Sequence, residues 1–177
     1  DDGSEDHSWS KIVKLAKQNQ QVLGLRLSRN FGQHYAISAG LDVARGSWII
    51  VMDCDLQDPP ELIPALYEKA LTGIPIVIAR ALNYAGNWPE RVTSRIFYKS
   101  LGWISHIEIS GGIGNFSIAS SEVIDVVKQM HDRLRFYIGM LFWTGYSHAL
   151  LDYHRPERLI GRSTYNFWLR LRLAVKN

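Results

Sequence analysis

The chain has 177 residues, 46% of them hydrophobic and 21% charged, with a formal net charge of +3 and a pI of about 9.0. That is one domain's worth of chain with a proper core, and without the dense Lys/Arg clusters of a nucleic-acid binder, so no nucleic-acid partner is expected. The single cysteine, Cys54, excludes an internal disulfide and a metal–thiolate cluster, fits a reducing compartment, and goes with no signal peptide and no apolar run of about 18 residues that would span a bilayer.

The opening DDGSEDHS reads as a loop, after which Trp9, Ile12, Val13 and Ala16 recur at helical spacing. Val22 to Ser28 reads as a strand and Gln33 to Arg45 as a helix, with Gly46 placed to end it. SWIIVMD is a near-continuous apolar strand of the kind buried on both faces. Pro60 to Thr72 reads as a helix entered through Pro59 and Pro60. PIVIAR is a short strand, and Pro89 to Ile104 a helix. GNFSIAS is a strand leading to Ser120, an N-cap, and to a helix through Met130. Arg133 to Thr144 is helical and Tyr146 to His154 is a strand. Strands alternating with helices predict an α/β domain with a mostly parallel sheet, whose ligand site lies outside the carboxyl ends of the strands.

Asp53, Asp55 and Asp58 fall at that place. Residues i and i+2 of an extended segment point the same way, about 6.5 to 7 Å apart, so Asp53 and Asp55 address one small object. Mg²⁺ or Mn²⁺ suits them, because such ions take one or two carboxylates together with substrate phosphates. A helix–loop–helix calcium site would need Gly and Glu where Asp58 and Pro64 stand. A haloacid-dehalogenase-type phosphatase would carry Thr or Val where Gln57 stands. The remaining alternative is a solvated acidic turn, with Asp58 at the N-terminus of the next helix.

Taken together, DDGSED, LSRNFGQHYAISAGLDVARG, MDCDLQDPPE, RLRFYIGMLFWTGY and RPERLIGRSTY resemble the family 2 glycosyltransferases over nearly the whole chain. The resemblance is closest to the branch that glycosylates polyprenyl phosphates, the dolichol-phosphate mannose synthases and bactoprenol glucosyltransferases. It implies a Rossmann-like nucleotide-diphospho-sugar transferase domain over residues 1–164, its first strand missing here. A juxtamembrane amphipathic helix over 165–177 is expected to continue into membrane helices. Phe167, Trp168, Leu171, Ala174 and Val175 gather on one side of that helix, the pattern of a helix lying in a membrane interface.

The resemblance also implies roles. Asp1 and Asp2 would lie against the nucleotide's base and ribose, a turn or helix cap being the alternative for Asp-Gly-Ser. Asp53 and Asp55, with Gln57 close by, would hold the metal on the sugar-nucleotide diphosphate. Arg80, Arg158, Arg162 and Ser163 would complete the donor site, Arg158 and Arg162 on a loop closing over the diphosphate. Thr164 stands where the family commonly has Lys. Arg91, Arg95 and Lys99 share a helix face with Ser94, beside an apolar stripe of Val92, Ile96 and Trp103. Arg91, Ser94 and Arg95 are therefore the candidates for the acceptor's phosphate.

The implied reaction displaces a nucleoside diphosphate from a sugar with inversion at the anomeric carbon. Where the lipid-phosphate branch often has Gly-Asp-Phe, this chain has Gly114-Asn115-Phe116. Asn115 cannot take a proton. A phosphate acceptor, with a second pKa of about 6, needs no strong base, so Asn115 is expected to position a polyprenyl or dolichyl phosphate. The alternatives are transfer to a sugar hydroxyl in surface polysaccharide synthesis, and a non-catalytic nucleotide-sugar-binding module. The expected setting is the cytoplasmic face of a membrane, the protein being a possible homo-oligomer.

Overall fold

A computed structural model of the chain describes residues 1–82, 111–131, 133 and 135–156. The helix expected over Pro89 to Ile104, with Arg91, Ser94 and Arg95, lies outside them. So do Arg158, Arg162, Ser163 and the helix expected over 165–177.

The helices are α1 (Ser8–Gln18), α2 (Gln33–Val43), α3 (Ile63–Leu71), α4 (Ser121–Gln129) and α5 (Tyr137–Trp143). A turn of 3-10 helix, Pro60–Leu62, leads into α3. Four strands, β1 (Trp48–Val51), β2 (Ile76–Ala81), β3 (Ile113–Ser120) and β4 (His148–Tyr153), form one sheet in the order β1-β3-β2-β4. β2 and β4 pair in parallel, whereas β3 runs antiparallel between β1 and β2. Among the described residues three of the four strands therefore point the same way, and β3 makes the sheet mixed.

Side chains alternate across the sheet, as the strand period of two demands. Ile76, Ile78, Ile113 and Ala119 pack with Leu41, Val123, Ile124, Tyr137 and Leu141 from α2, α4 and α5. Val77, Ala79, Phe116, Ile118 and Tyr153 pack on the other face with Leu66 and Ala70 of α3. The result is three layers, helix on sheet on helix. Ser120 caps α4, its Oγ accepting from Val123 N at 3.4 Å. Gly112 sits at φ 89 with Ala81 O only 2.2 Å from where a Cβ would stand, so this close strand crossing admits glycine alone.

Several boundaries differ from expectation. α2 ends at Val43 on an extended Ala44, so Gly46 does not terminate it. α5 starts only at Tyr137, because Arg135 takes a left-handed φ of 52 and Phe136 is extended. β1 is half-buried rather than buried on both faces, since its outer edge carries no strand among the described residues. Val22 to Ser28 joins no ladder. Val22 N donates to Asn19 O at 3.0 Å, and the segment is tied to residue 1, with Asp1 N donating to Leu25 O at 2.7 Å and Leu27 N to Asp1 O at 2.9 Å.

Candidate active site

The carboxyl ends of β1 and β4 and the start of β3 lie at the same end of the sheet. Beyond Val51 the chain turns through Asp53 to Asp58, and this loop is tied by its own carboxylates. Asp55 Oδ1 accepts Gln57 N at 3.1 Å, and Asp58 Oδ2 accepts Asp53 N at 3.0 Å. Leu56 between them stands at φ 63, a left-handed conformation uncommon for a side chain of that size.

The antiparallel register sets Val51 against Ser117. Two residues further along each strand, Asp53 meets Asn115, whose Nδ2 donates to Asp53 Oδ1 at 3.5 Å. Gln33, the first residue of α2, donates to the same oxygen from Nε2 at 2.6 Å. Burial pushes the Asp53 carboxyl above its ordinary value, and the charges of Asp58 and Asp55 push it further. The Asn115 hydrogen bond and the Arg155 charge act against them.

Asp58 is 4% exposed. Its Oδ1 accepts from Tyr153 Oη at 3.1 Å and lies 3.7 Å from an Arg155 guanidinium nitrogen. Burial, then the Asp58 charge, holds the Tyr153 phenol well above the usual tyrosine range. The 3-10 helix that follows is capped by Pro59 without a side-chain hydrogen bond, so Asp58 faces inward and is not the exposed helix-terminal acid of the alternative reading.

Two cavities meet at Asp53. A groove of about 710 Å³ runs between α2 and the outer edge of β1, lined by Ala36, Gly40, Leu41 and Val51 and ending on Asp53 and Asp55. A smaller one of about 180 Å³ is walled by His34, Asp53, Asn115, Phe136 and Arg155. Among the described residues no three His, Cys, Asp or Glu side chains converge as a metal cage. The donor set suits a Mg²⁺- or Mn²⁺-type ion that takes two carboxylates and fills its shell with substrate oxygens and water: Asp53 and Asp55 open on the same groove.

Of the other expected site residues, Gln57 is half-buried and lines neither cavity. Arg80 lines neither as well. Its Nε and an Nη donate to the two oxygens of Asp152, its parallel cross-strand neighbour, at 2.5 and 2.7 Å. Asp1 and Asp2 make turn and capping contacts. Asp1 Oδ1 accepts Ser4 N at 3.0 Å and pairs with Arg26 at 3.5 Å. Asp2 accepts Phe31 N at 2.8 Å and Gly32 N at 2.9 Å, which fixes the turn into α2 and so the place of Gln33. Gln33, His34, Tyr153 and Arg155 were not among the expected site residues. The GQH triplet that follows SRNF held the signal for the first two; the others are visible only in three dimensions.

The sequence model of glycosyl transferase family 2 matches residues 1–128. The chain belongs to this family. It is 37% identical over 168 residues to an uncharacterized glycosyltransferase of Synechocystis sp., covering 94% of this chain and 53% of that protein. It is 38% identical over 176 residues to the prophage bactoprenol glucosyl transferase homolog of Escherichia coli, covering 99% and 58% respectively. The figures for the bactoprenol glucosyl transferase of Shigella phage SfV are 38% over 176 residues, 99% and 57%. The chain thus spans a little over half the length of these relatives. Among solved structures it matches glucosyl-3-phosphoglycerate synthase from Mycobacterium tuberculosis in complex with phosphoglyceric acid, at TM-score 0.59 and 19% identity, over 90% of this chain and 60% of that one. The same enzyme in complex with Mn²⁺, UDP-glucose and phosphoglyceric acid matches at TM-score 0.56 and 21% identity, over the same shares. That likeness shows a shared fold.

Proposed function

We propose that the chain is the catalytic domain of an inverting glycosyltransferase that moves a sugar from a nucleotide-sugar to a polyprenyl phosphate at the cytoplasmic face of a membrane. The observation that carries this reading is the meeting of Asp53 with Asn115 at the junction of two cavities, one of which also opens on Asp55. A carboxylate pair suits a metal-bound diphosphate, and an amide beside it suits an acceptor that arrives already ionised. The bactoprenol glucosyl transferases among the relatives support the lipid acceptor, and the synthase with Mn²⁺ and UDP-glucose supports the donor. No helix among the described residues is long and apolar enough to cross a membrane, so membrane contact rests on the acceptor and on 165–177.

Asp53 and Asp55 would hold Mg²⁺ or Mn²⁺, which when bound neutralises charge on the diphosphate and on the departing group. Gln33 and Asn115 fix the Asp53 carboxylate by donating to the same oxygen. In the displacement an oxygen of the acceptor phosphate forms a bond to the anomeric carbon. The bond from that carbon to the donor's phosphate oxygen breaks, and the nucleoside diphosphate leaves with the electron pair. No proton has to be removed from an acceptor whose second pKa is about 6.

A sugar-hydroxyl acceptor is the second reading, because His34 stands on the wall of the small cavity with Asn115 and could take a hydroxyl proton. The deciding experiment compares transfer from a panel of UDP- and GDP-sugars to polyprenyl phosphate and to sugar acceptors, in wild type and His34→Gln. Lipid-phosphate turnover that survives His34→Gln within about tenfold is expected. Transfer to hydroxyls that falls about a hundredfold or more in the variant, the loss of a general base, would favour the second reading.

A further inference from the structure

We propose that Asp58 is a positioning residue that fastens the Asp53–Asp55 loop to the end of β4, so that metal-dependent donor binding depends on a joint between two distant parts of the chain. The proposal rests on the reading of Asp53 and Asp55 as the donor site.

Both oxygens of the Asp58 carboxylate are engaged. Oδ2 accepts the Asp53 backbone N–H, and Oδ1 takes the Tyr153 hydroxyl and faces Arg155. Asp58 lines neither cavity, whereas Asp53 and Asp55 open on the groove, so the third acid of the loop differs in task from the first two. Nor is it there for solubility, being 4% exposed. A carboxylate is buried only where partners compensate its lost hydration, and here the partners join two segments. Asp53 lies just past the last paired residue of β1, so its N–H has no sheet acceptor and Asp58 supplies one. Tyr153 closes β4, and Arg155 stands two residues beyond it, where the chain leaves toward 157–177. The loop also carries the left-handed Leu56, a conformation that persists only where its surroundings over-determine it. Loosening Asp58 would let that turn relax and swing Asp53 out of the alignment set by Gln33 and Asn115.

The test is the Mn²⁺ dependence of UDP binding and of UDP-sugar turnover in wild type, Asp58→Asn and Tyr153→Phe. Outer-shell partners of metal ligands typically tune affinity by about 10- to 100-fold, so Asp58→Asn should raise the Mn²⁺ concentration for half-maximal binding about tenfold or more. Tyr153→Phe, lacking one hydrogen bond, should raise it about fivefold. Tyr153→Phe keeps the ring and its edge-on contact with Phe116, so it decides the matter should Asp58→Asn not fold. Wild-type Mn²⁺ curves in the folded variants, with only thermal stability lowered, would overturn the positioning role. A wild type that binds UDP equally with and without Mn²⁺ would overturn the donor-site reading, and the positioning role with it.

Discussion

Asp53 and Asn115 oppose each other at the mouth of the antiparallel β1–β3 pair, the Asn115 amide 3.5 Å from the Asp53 carboxylate. The family branch often carries an acid where this chain has the amide. A second carboxylate at 115 would stand against Asp53, which two acids already crowd.

Asn115→Asp is accordingly expected to lower transfer to polyprenyl phosphate, and by no more than about tenfold, or about 1.4 kcal/mol of barrier. Asn115→Ala should cost at least as much, since it loses the donor to Asp53. Initial rates at saturating donor and metal check both. A gain of about a hundredfold in Asn115→Asp, most of it to hydroxyl acceptors, would mean that the chain acts on hydroxyls and lacks its base.

The elevated Asp53 carboxyl predicts a conflict between stability and binding. Burial and the neighbouring acids raise its folded-state pKa above 3.8, so the fold favours the protonated form. That contribution is complete below the ordinary value and is lost as pH rises through the raised one. Without metal, Asp53→Asn should therefore melt at a higher temperature than wild type at neutral pH, with the difference closing in acid below 3.8. The same variant should lose metal-dependent nucleotide binding. In wild type, metal affinity should increase as pH rises through the elevated value, because the ligand must be ionised.

Tyr137 predicts a separate alkaline effect. Its phenol is buried, which pushes its pKa up to about 12, the Ser117 hydrogen bond acting the other way. The stability this gives is full below 10.0 and is lost as pH rises through about 12. Tyr137→Phe should cost about 1 kcal/mol at neutral pH, since Ser117 Oγ still donates to Asn115 O at 2.9 Å. It should also flatten the alkaline loss. Thermal melts of both proteins at neutral pH and between 10.0 and about 12 read this directly.

The pattern of the chain carried the helix periods, the Ser120 cap and the place of the acidic loop at a strand end. It did not reveal the direction of β3, because an antiparallel strand entering a parallel sheet has the same apolar alternation as its neighbours; only pairing shows it. That direction is what brings Asn115 to Asp53, so their contact was not legible either. Asp58 was readable as an acid near a helix start, but its burial depends on Tyr153, 95 residues away. The start of α5 was misplaced by Arg135, a residue whose type gives no hint of its left-handed backbone. Arg80 was expected at the donor, and its parallel partner Asp152 lies 72 residues further along the chain.

The central claim is that Asp53 and Asp55 bind a nucleoside diphosphate through a divalent metal, and calorimetric titration of UDP and GDP tests it most directly. In wild type, Mn²⁺ or Mg²⁺ is expected to strengthen binding by about tenfold or more, and Asp53→Asn and Asp55→Asn should each remove that dependence. Equal affinity in wild type with Mn²⁺ and with EDTA would contradict it.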